Sequence, residues 1–207
     1  MAQCDLPQGF VYAKEALPNC REDAKYAGND NFLGRPVAGY ERNCVVLSQA
    51  VAEGLKRAEP IFAGLGYGML LYDSYRPQRA VDDFVAWGKD VEDQARKQIH
   101  YPRIEKADMF RLGYVAVRSG HSRGCAVDLT LVDLNSGEPI DMDGWFDLMD
   151  DTSGYGAEGV SETGAANRAL LRRVMEECGF RGISGEWWHF IIQPEPFPDQ
   201  YFDFPIV

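Results

Sequence analysis

Apolar and polar positions recur along this chain with changing periods, and each change marks an element. Between residues 44 and 62, Leu47, Val51, Leu55, Ala58 and Phe62 stand three or four apart, the stripe of an amphipathic helix. Pro60 is expected to end or kink that helix, because it lacks an N–H and its ring crowds the preceding turn. Gly64 and Gly66 then open YGMLLYDSY, a run of β-type composition. Pro77 stands where a helix start tolerates proline, and Val81, Phe84, Val85 and Gly88 follow at helical spacing. Residues 89–112 are charged and weakly periodic, and read as helix or loop.

The period drops to two in GCAVDLTLVD. Cys125, Val127, Leu129 and Leu131 take one face; Ala126, Asp128 and Thr130 take the other. Asn135-Ser136-Gly137 reads as a turn into a second short strand near Glu138 to Ile140. Residues 141–163, rich in Gly and Asp, read as a long ordered loop of the kind that carries function. Leu170, Leu171, Val174, Met175 and Cys178 share one helical face within 164–178, and Gly179 is the stop. WWHFII reads as a strand ended by Pro194. Residues 1–42 lack long periodicity and read as an irregular arm with short strands, packed on the rest. Helices interspersed with hairpin-linked strands predict an α+β fold with a mixed or antiparallel sheet. A length of 207 residues fits a single domain over 1–207.

Composition narrows the partners. Hydrophobic residues make up 45% of the chain, enough for a real core. Lys and Arg number 21 against 32 Asp and Glu, a formal net charge of -11. Such a surface repels phosphate backbones and anionic lipid heads, so neither nucleic acid nor a membrane is expected as a partner. No apolar run approaches the roughly 20 residues needed to span a bilayer. The opening MAQCDLPQGF shows no basic segment followed by an apolar one, so no signal peptide is read and a cytoplasmic location is expected, with a periplasmic form left open. The five cysteines show no CxxC spacing and read as ordinary thiols in a reducing compartment. A Cys4–Cys20 bridge is the alternative for an exported form.

The candidate chemistry gathers around two of the three histidines, His100, His121 and His189. In SGHSRGCAVDLTL, His121 and Asp128 stand seven positions apart, an odd offset, so one flat strand would point them to opposite faces. They converge only if the chain turns between them, and Ser122-Arg123-Gly124 supplies a turn. A charge inside so apolar a strand must be paired or metal-bound. In GEWWHF, Glu186 stands three residues before His189. Three protein ligands with an open position describe a catalytic zinc site, and a nearby carboxylate that is not a ligand can take a proton from water. A histidine in a strand also serves as a satisfied core residue, and the residues alone leave both readings open. His100, in a charged stretch before Tyr101-Pro102, reads as a surface residue, and Trp187-Trp188 as core and pocket wall.

At these positions the sequence resembles the zinc D-Ala-D-Ala peptidase family, whose pattern is SxHxxGxAxD followed far downstream by ExxH. Here the pattern stands as Ser119 to Asp128 and Glu186 to His189, without gaps. Within that family the likeness is to the D-alanyl-D-alanine dipeptidases of the VanX type. It extends through NFLGRPVAGY, YDSYRPQRA, GYVAVRSGHSRGCAVDLTL, FDLMD, EWWHF and YFDFP, from about Tyr26 to Phe204.

The resemblance implies a small, mostly antiparallel sheet carrying one Zn2+ and flanked by helices. It implies hydrolysis of D-Ala-D-Ala to two D-alanines, with a D,D-carboxypeptidase trimming longer muropeptides as the alternative. His121, Asp128 and His189 take the place of the ligands, Glu186 of the base that activates the zinc-bound water, and Arg76 of the arginine that polarises the scissile carbonyl. For the substrate's ammonium the candidates are Asp147, with Asp150 as its rival, and Tyr26 as a supporting wall. For its carboxylate they are Ser119 and the backbone N–H groups near the Ser119-Gly120 turn. Cys125 and Gly120 depart from the expected pattern. Strand parity turns Cys125 into the core, away from zinc, and Gly120 stands where a second Ser is expected.

Overall fold

The computed structural model describes residues 6–207. The arm contributes β1 (Phe10–Tyr12), α1 (Ala13–Ala16) and β2 (Arg21–Glu22). Then come β3 (Val46–Ser48), α2 (Gln49–Gly64), β4 (Tyr67–Asp73) and α3 (Gln78–Lys89). Two short helices follow, α4 (Lys97–His100) and α5 (Met109–Leu112). The chain finishes with β5 (Ala126–Asp133), α6 (Glu162–Glu177), β6 (Phe180–Gly182) and β7 (His189–Ile192). The main sheet has the order β2-β4-β5-β7-β6; β1 and β3 pair separately. Only β2 and β4 run parallel within the main sheet; its other pairings are antiparallel. The fold is α+β, as the patterning predicts.

Strand β5 occupies the centre of this sheet, and every residue from Ala126 to Val132 is buried. Burial on both faces explains why its polar positions must be satisfied from within the protein. The ladders fix the site. Asp73 on β4 pairs with Asp128 on β5, after a register irregularity between Leu71 and Asp73. Asp128 pairs in turn with His189 on β7. Three polar side chains thus stand abreast at one end of three adjacent strands.

Several local expectations are corrected. Leu47 fits the helical stripe but lies in β3, because Ser48 caps α2 by accepting a hydrogen bond from Val51 N at 3.3 Å. Pro60 does not end α2, which runs on to Gly64. Its ring is on the exposed side, so the carbonyl it leaves without an N–H partner faces water rather than the core. The second strand near Glu138 reduces to a single bridge, Val132 to Pro139, flanked by Asp133 N donating to Glu138 O at 2.9 Å and Ile140 N donating to Leu131 O at 3.0 Å. Trp187 and Trp188 form a turn before β7, closed by His189 N donating to Glu186 O at 3.4 Å. The Cys4–Cys20 pairing falls outside the described residues.

Close packing ties these elements together. Gly54 on α2 lies so near β6 that a Cβ there would stand 2.5 Å from the Phe180 ring. The segment after β7 returns across the molecule and packs Phe197, Phe202 and Phe204 around Phe10. Its backbone holds the two loops beside the site: Phe202 N donates to Ser122 O at 2.8 Å, and Gln78 N donates to Phe202 O at 2.9 Å.

Candidate metal centre

The turn required between His121 and Asp128 is present. His121–Arg123 forms one 3-10 turn, and Gly124 follows at φ 64°, a left-handed conformation that glycine adopts without strain. The chain re-enters β5 with Asp128 facing the same space as His121. His121 Nε2 lies 3.2 Å from His189 Nδ1 and 3.3 Å from Asp128 Oδ2, and His189 Nδ1 lies 2.9 Å from Asp128 Oδ1. Ligand atoms of all three residues fall within 4.8 Å of one another.

This donor set fits a zinc ion on its own chemistry. A tetrahedral zinc with bonds of about 2.0–2.1 Å spaces its ligand atoms about 3.3 Å apart. His121 Nδ1–H donates to Ser74 O at 2.6 Å, which fixes the tautomer and leaves Nε2 as a lone pair aimed into the site. That lone pair meets the His189 nitrogen across 3.2 Å, an arrangement that needs a proton or a cation between them. Burial alone would raise the Asp128 carboxyl, but His121 and His189 beside it hold it well below the usual carboxylate range. Burial works to lower His189, and Asp128 overrides it, so the imidazole is raised. The side chains favour positive charge at their centre.

Arg76 and Glu186 flank the triad. Asp73 is 2% exposed and accepts from Arg76 Nε at 2.9 Å and from Tyr40 Oη at 2.7 Å. Arg76 Nη2 also stands 3.7 Å from Asp128 Oδ2, and its guanidinium lies 5.0 Å from the ring centroids of both Tyr26 and Phe84. Asp73 and Asp128, side by side on paired strands, would repel each other without this guanidinium. Glu186 Oε2 is 3.8 Å from His189 Nδ1, close to the triad but outside it. A third of its side chain reaches solvent, yet burial of the rest raises its carboxyl, with His189 opposing. Such a group takes up and gives back a proton nearer neutrality than an ordinary glutamate.

These residues floor a cavity of about 240 Å³, walled by Tyr26, Phe84, Tyr114 and Trp188. A larger hollow of about 750 Å³ lies over α6 and shares no residue with this pocket. Asp147 lines the cavity and accepts from Tyr26 Oη at 2.8 Å. Burial raises its carboxyl well above the ordinary range, against the Tyr26 hydrogen bond that lowers it. Its backbone is held at φ 60°, unusual for a residue with a side chain. Asp150, the rival, is paired with Arg103 and Thr152 and does not line the cavity. Ser119 lines it, and its Oγ accepts from His121 N at 3.2 Å. Cys125 is fully buried, its thiol bonded to Gly120 O at 3.2 Å and pushed up to about 12 by burial.

His100 is not a surface residue. It is 4% exposed, with Nδ1 3.1 Å from Asp147 O and its own carbonyl accepting from Met149 N at 2.7 Å. It pins the loop that carries Asp147, and its burial comes from that distant loop, which leaves no local trace in the sequence. Asp73 and Tyr40 were also missed. Asp73 carried the same signal as Asp128, an acid within an apolar strand; Tyr40 carried none.

The chain matches the D-ala-D-ala dipeptidase family over residues 7–207. It is 51% identical to a D-alanyl-D-alanine dipeptidase of Streptomyces coelicolor over 95% of this chain and 98% of that one. It is 47% identical to one of Enterococcus faecium, over 96% of this chain and 98% of that one. A third, from Escherichia coli, is 34% identical over 84% of this chain and 79% of that one.

Proposed function

The chain belongs to the D-ala-D-ala dipeptidase family, and on that premise we propose how its residues hydrolyse D-Ala-D-Ala to two D-alanines. The observation that carries the reading is the convergence of His121, Asp128 and His189 within 4.8 Å, beneath a cavity of only about 240 Å³. Drug-sized ligands occupy pockets of about 300–1,000 Å³, so this space suits a substrate of two small residues.

His121 Nε2, His189 Nδ1 and an Asp128 oxygen would hold one zinc ion. When bound, zinc supplies Lewis acidity that lets water ionise near neutral pH. The same donor set also accepts iron or cobalt. Glu186 removes a proton from the attacking water and returns it to the departing amine nitrogen. Arg76, held by Asp73 and Tyr40, donates to the scissile carbonyl oxygen as negative charge develops there. Tyr26 and Phe84 against its guanidinium exclude water and strengthen that interaction. Asp147, whose charged form is disfavoured by burial, receives the substrate's ammonium as counter-charge, with Tyr26 setting its orientation. Ser119, whose Oγ already accepts from His121 N, keeps its own hydrogen to donate to the substrate's carboxylate. The reaction needs no covalent intermediate.

Among the described residues no helix is long and apolar enough to cross a membrane. The buried free thiols of Cys44, Cys125 and Cys178 suit a reducing compartment, and we place the activity in the cytoplasm. The test is release of D-alanine from D-Ala-D-Ala and, separately, from a pentapeptide ending in D-Ala-D-Ala. Release from the dipeptide alone is expected. Release mainly from the pentapeptide would make the protein a D,D-carboxypeptidase.

A further inference from the structure

Arg118 precedes Ser119 and lines the same cavity. Its guanidinium carbon stands 4.4 Å from the centroid of the Tyr201 ring. Tyr201 is itself fixed: its hydroxyl accepts from Arg123 Nη1 at 3.0 Å, and Arg123 Nε is paired with Glu195 at 2.8 Å. Arg118 therefore rests on an anchored aromatic platform, with its charge at the cavity wall.

The cavity contains two guanidinium groups. Arg76 is committed, being paired with Asp73 and close to Asp128. Arg118 forms no ion pair among the described residues. The acids of the lining are Asp128, Asp147 and Glu186, and the whole chain carries a net charge of -11. Of the two guanidinium groups in this lining, Arg118 is the one not already paired with an acid, and so the one open to an anionic end of a ligand. A free dipeptide always brings a carboxylate, and a guanidinium binds carboxylates with two donors in a plane. Ser119 beside Arg118 adds a hydroxyl donor on the same wall.

Taking the dipeptidase reading as given, we propose that Arg118 is a specificity-determining residue that binds the substrate's C-terminal carboxylate. Its charge selects substrates in which the residue after the scissile bond ends in a free carboxylate. Stacking on Tyr201 keeps the guanidinium oriented, which reduces the entropy lost on binding.

The experiment compares D-Ala-D-Ala with D-Ala-D-Ala amide, using zinc-loaded wild-type protein, Arg118→Ala and Arg118→Lys. Wild type is expected to prefer the free acid. Arg118→Ala should lower kcat/KM for the acid about 10-fold, mainly through KM, the scale of losing one charged hydrogen-bond partner. It should leave the amide rate unchanged, so the preference collapses, and Arg118→Lys should restore part of it. Equal losses on acid and amide would assign Arg118 a structural role and overturn the proposal, as would an unchanged acid rate. Wild-type protein inactive on both compounds would overturn the dipeptidase reading itself, and the role of Arg118 with it.

Discussion

On the floor of the pocket, Asp73, Asp128 and His189 stand abreast on paired strands, with His121 brought in by one tight turn. At its rim, Asp147, Ser119 and Arg118 come from loops, and Asp147 and Arg118 are held by contacts from far along the chain. Tyr26 and His100 hold Asp147, and Tyr201 carries Arg118. A metal needs ligand atoms fixed to fractions of an ångström, and a ladder provides that by register. A small zwitterion needs charges of the right sign at the right ends, and loops can supply them. The two regions should therefore fail differently when altered: the floor by losing metal, the rim by weaker substrate binding with the metal in place.

The largest effect is expected at the floor. His189→Ala or Asp128→Ala should abolish stoichiometric zinc binding and lower activity at least about 10³-fold, since the Lewis acid contributes several kcal/mol. Metal analysis beside the activity assay checks this, and a zinc-replete, active variant would remove that residue from the ligand set. Arg76→Ala should keep zinc and lower kcat about 10²- to 10³-fold, the cost of one preorganised donor to a developing oxyanion. A change confined to KM would place Arg76 in binding instead.

At the rim, Tyr26→Phe removes only the hydroxyl that orients Asp147. It should raise KM about 10-fold and leave zinc content and kcat nearly unchanged. Zinc loss in this variant would dissolve the distinction between floor and rim.

The smallest effect concerns stability. Burial lowers His100 below its ordinary 6.5, with the Asp147 carbonyl opposing and Arg96 assisting. The unfolded chain then takes up a proton that the folded chain resists. The stabilisation is complete above 6.5 and is lost as pH falls through the lower folded value. Wild-type protein should lose thermal stability between about pH 7 and pH 5 more steeply than His100→Gln. Parallel pH profiles would show that His100 carries no such linkage. Asp147, raised by burial, titrates in the opposite sense in both proteins, so the difference between them isolates His100.

His121, Asp128 and His189 on the floor were legible in the residues themselves, Asp147 and Ser119 at the rim only through the family resemblance, and Asp73, His100 and Arg118 not at all, for a physical reason. Asp128 betrays itself as a charge in an apolar run, and Gly124 marks the turn that brings His121 round to it. Such signals are local. His100 reads as exposed because α4 is only one turn long and its neighbours are charged; the loop that buries it lies more than forty residues on. Arg118 looks like any surface arginine until Tyr201 is placed beneath it. Helix limits show the same boundary between local and distant causes. Leu47 satisfies the helical period, yet pairing with β1 claims it for a strand.

Glu186 sits 3.8 Å from His189 Nδ1 without joining the triad, so it should govern chemistry and not metal affinity. The most direct measurement is zinc content and steady-state hydrolysis of D-Ala-D-Ala by Glu186→Gln beside wild type. One zinc per chain is expected in both proteins, with kcat lowered about 10²- to 10⁴-fold in the variant. Turnover at the wild-type rate, or zinc lost together with activity, would contradict a proton-transferring carboxylate set beside an independent metal site.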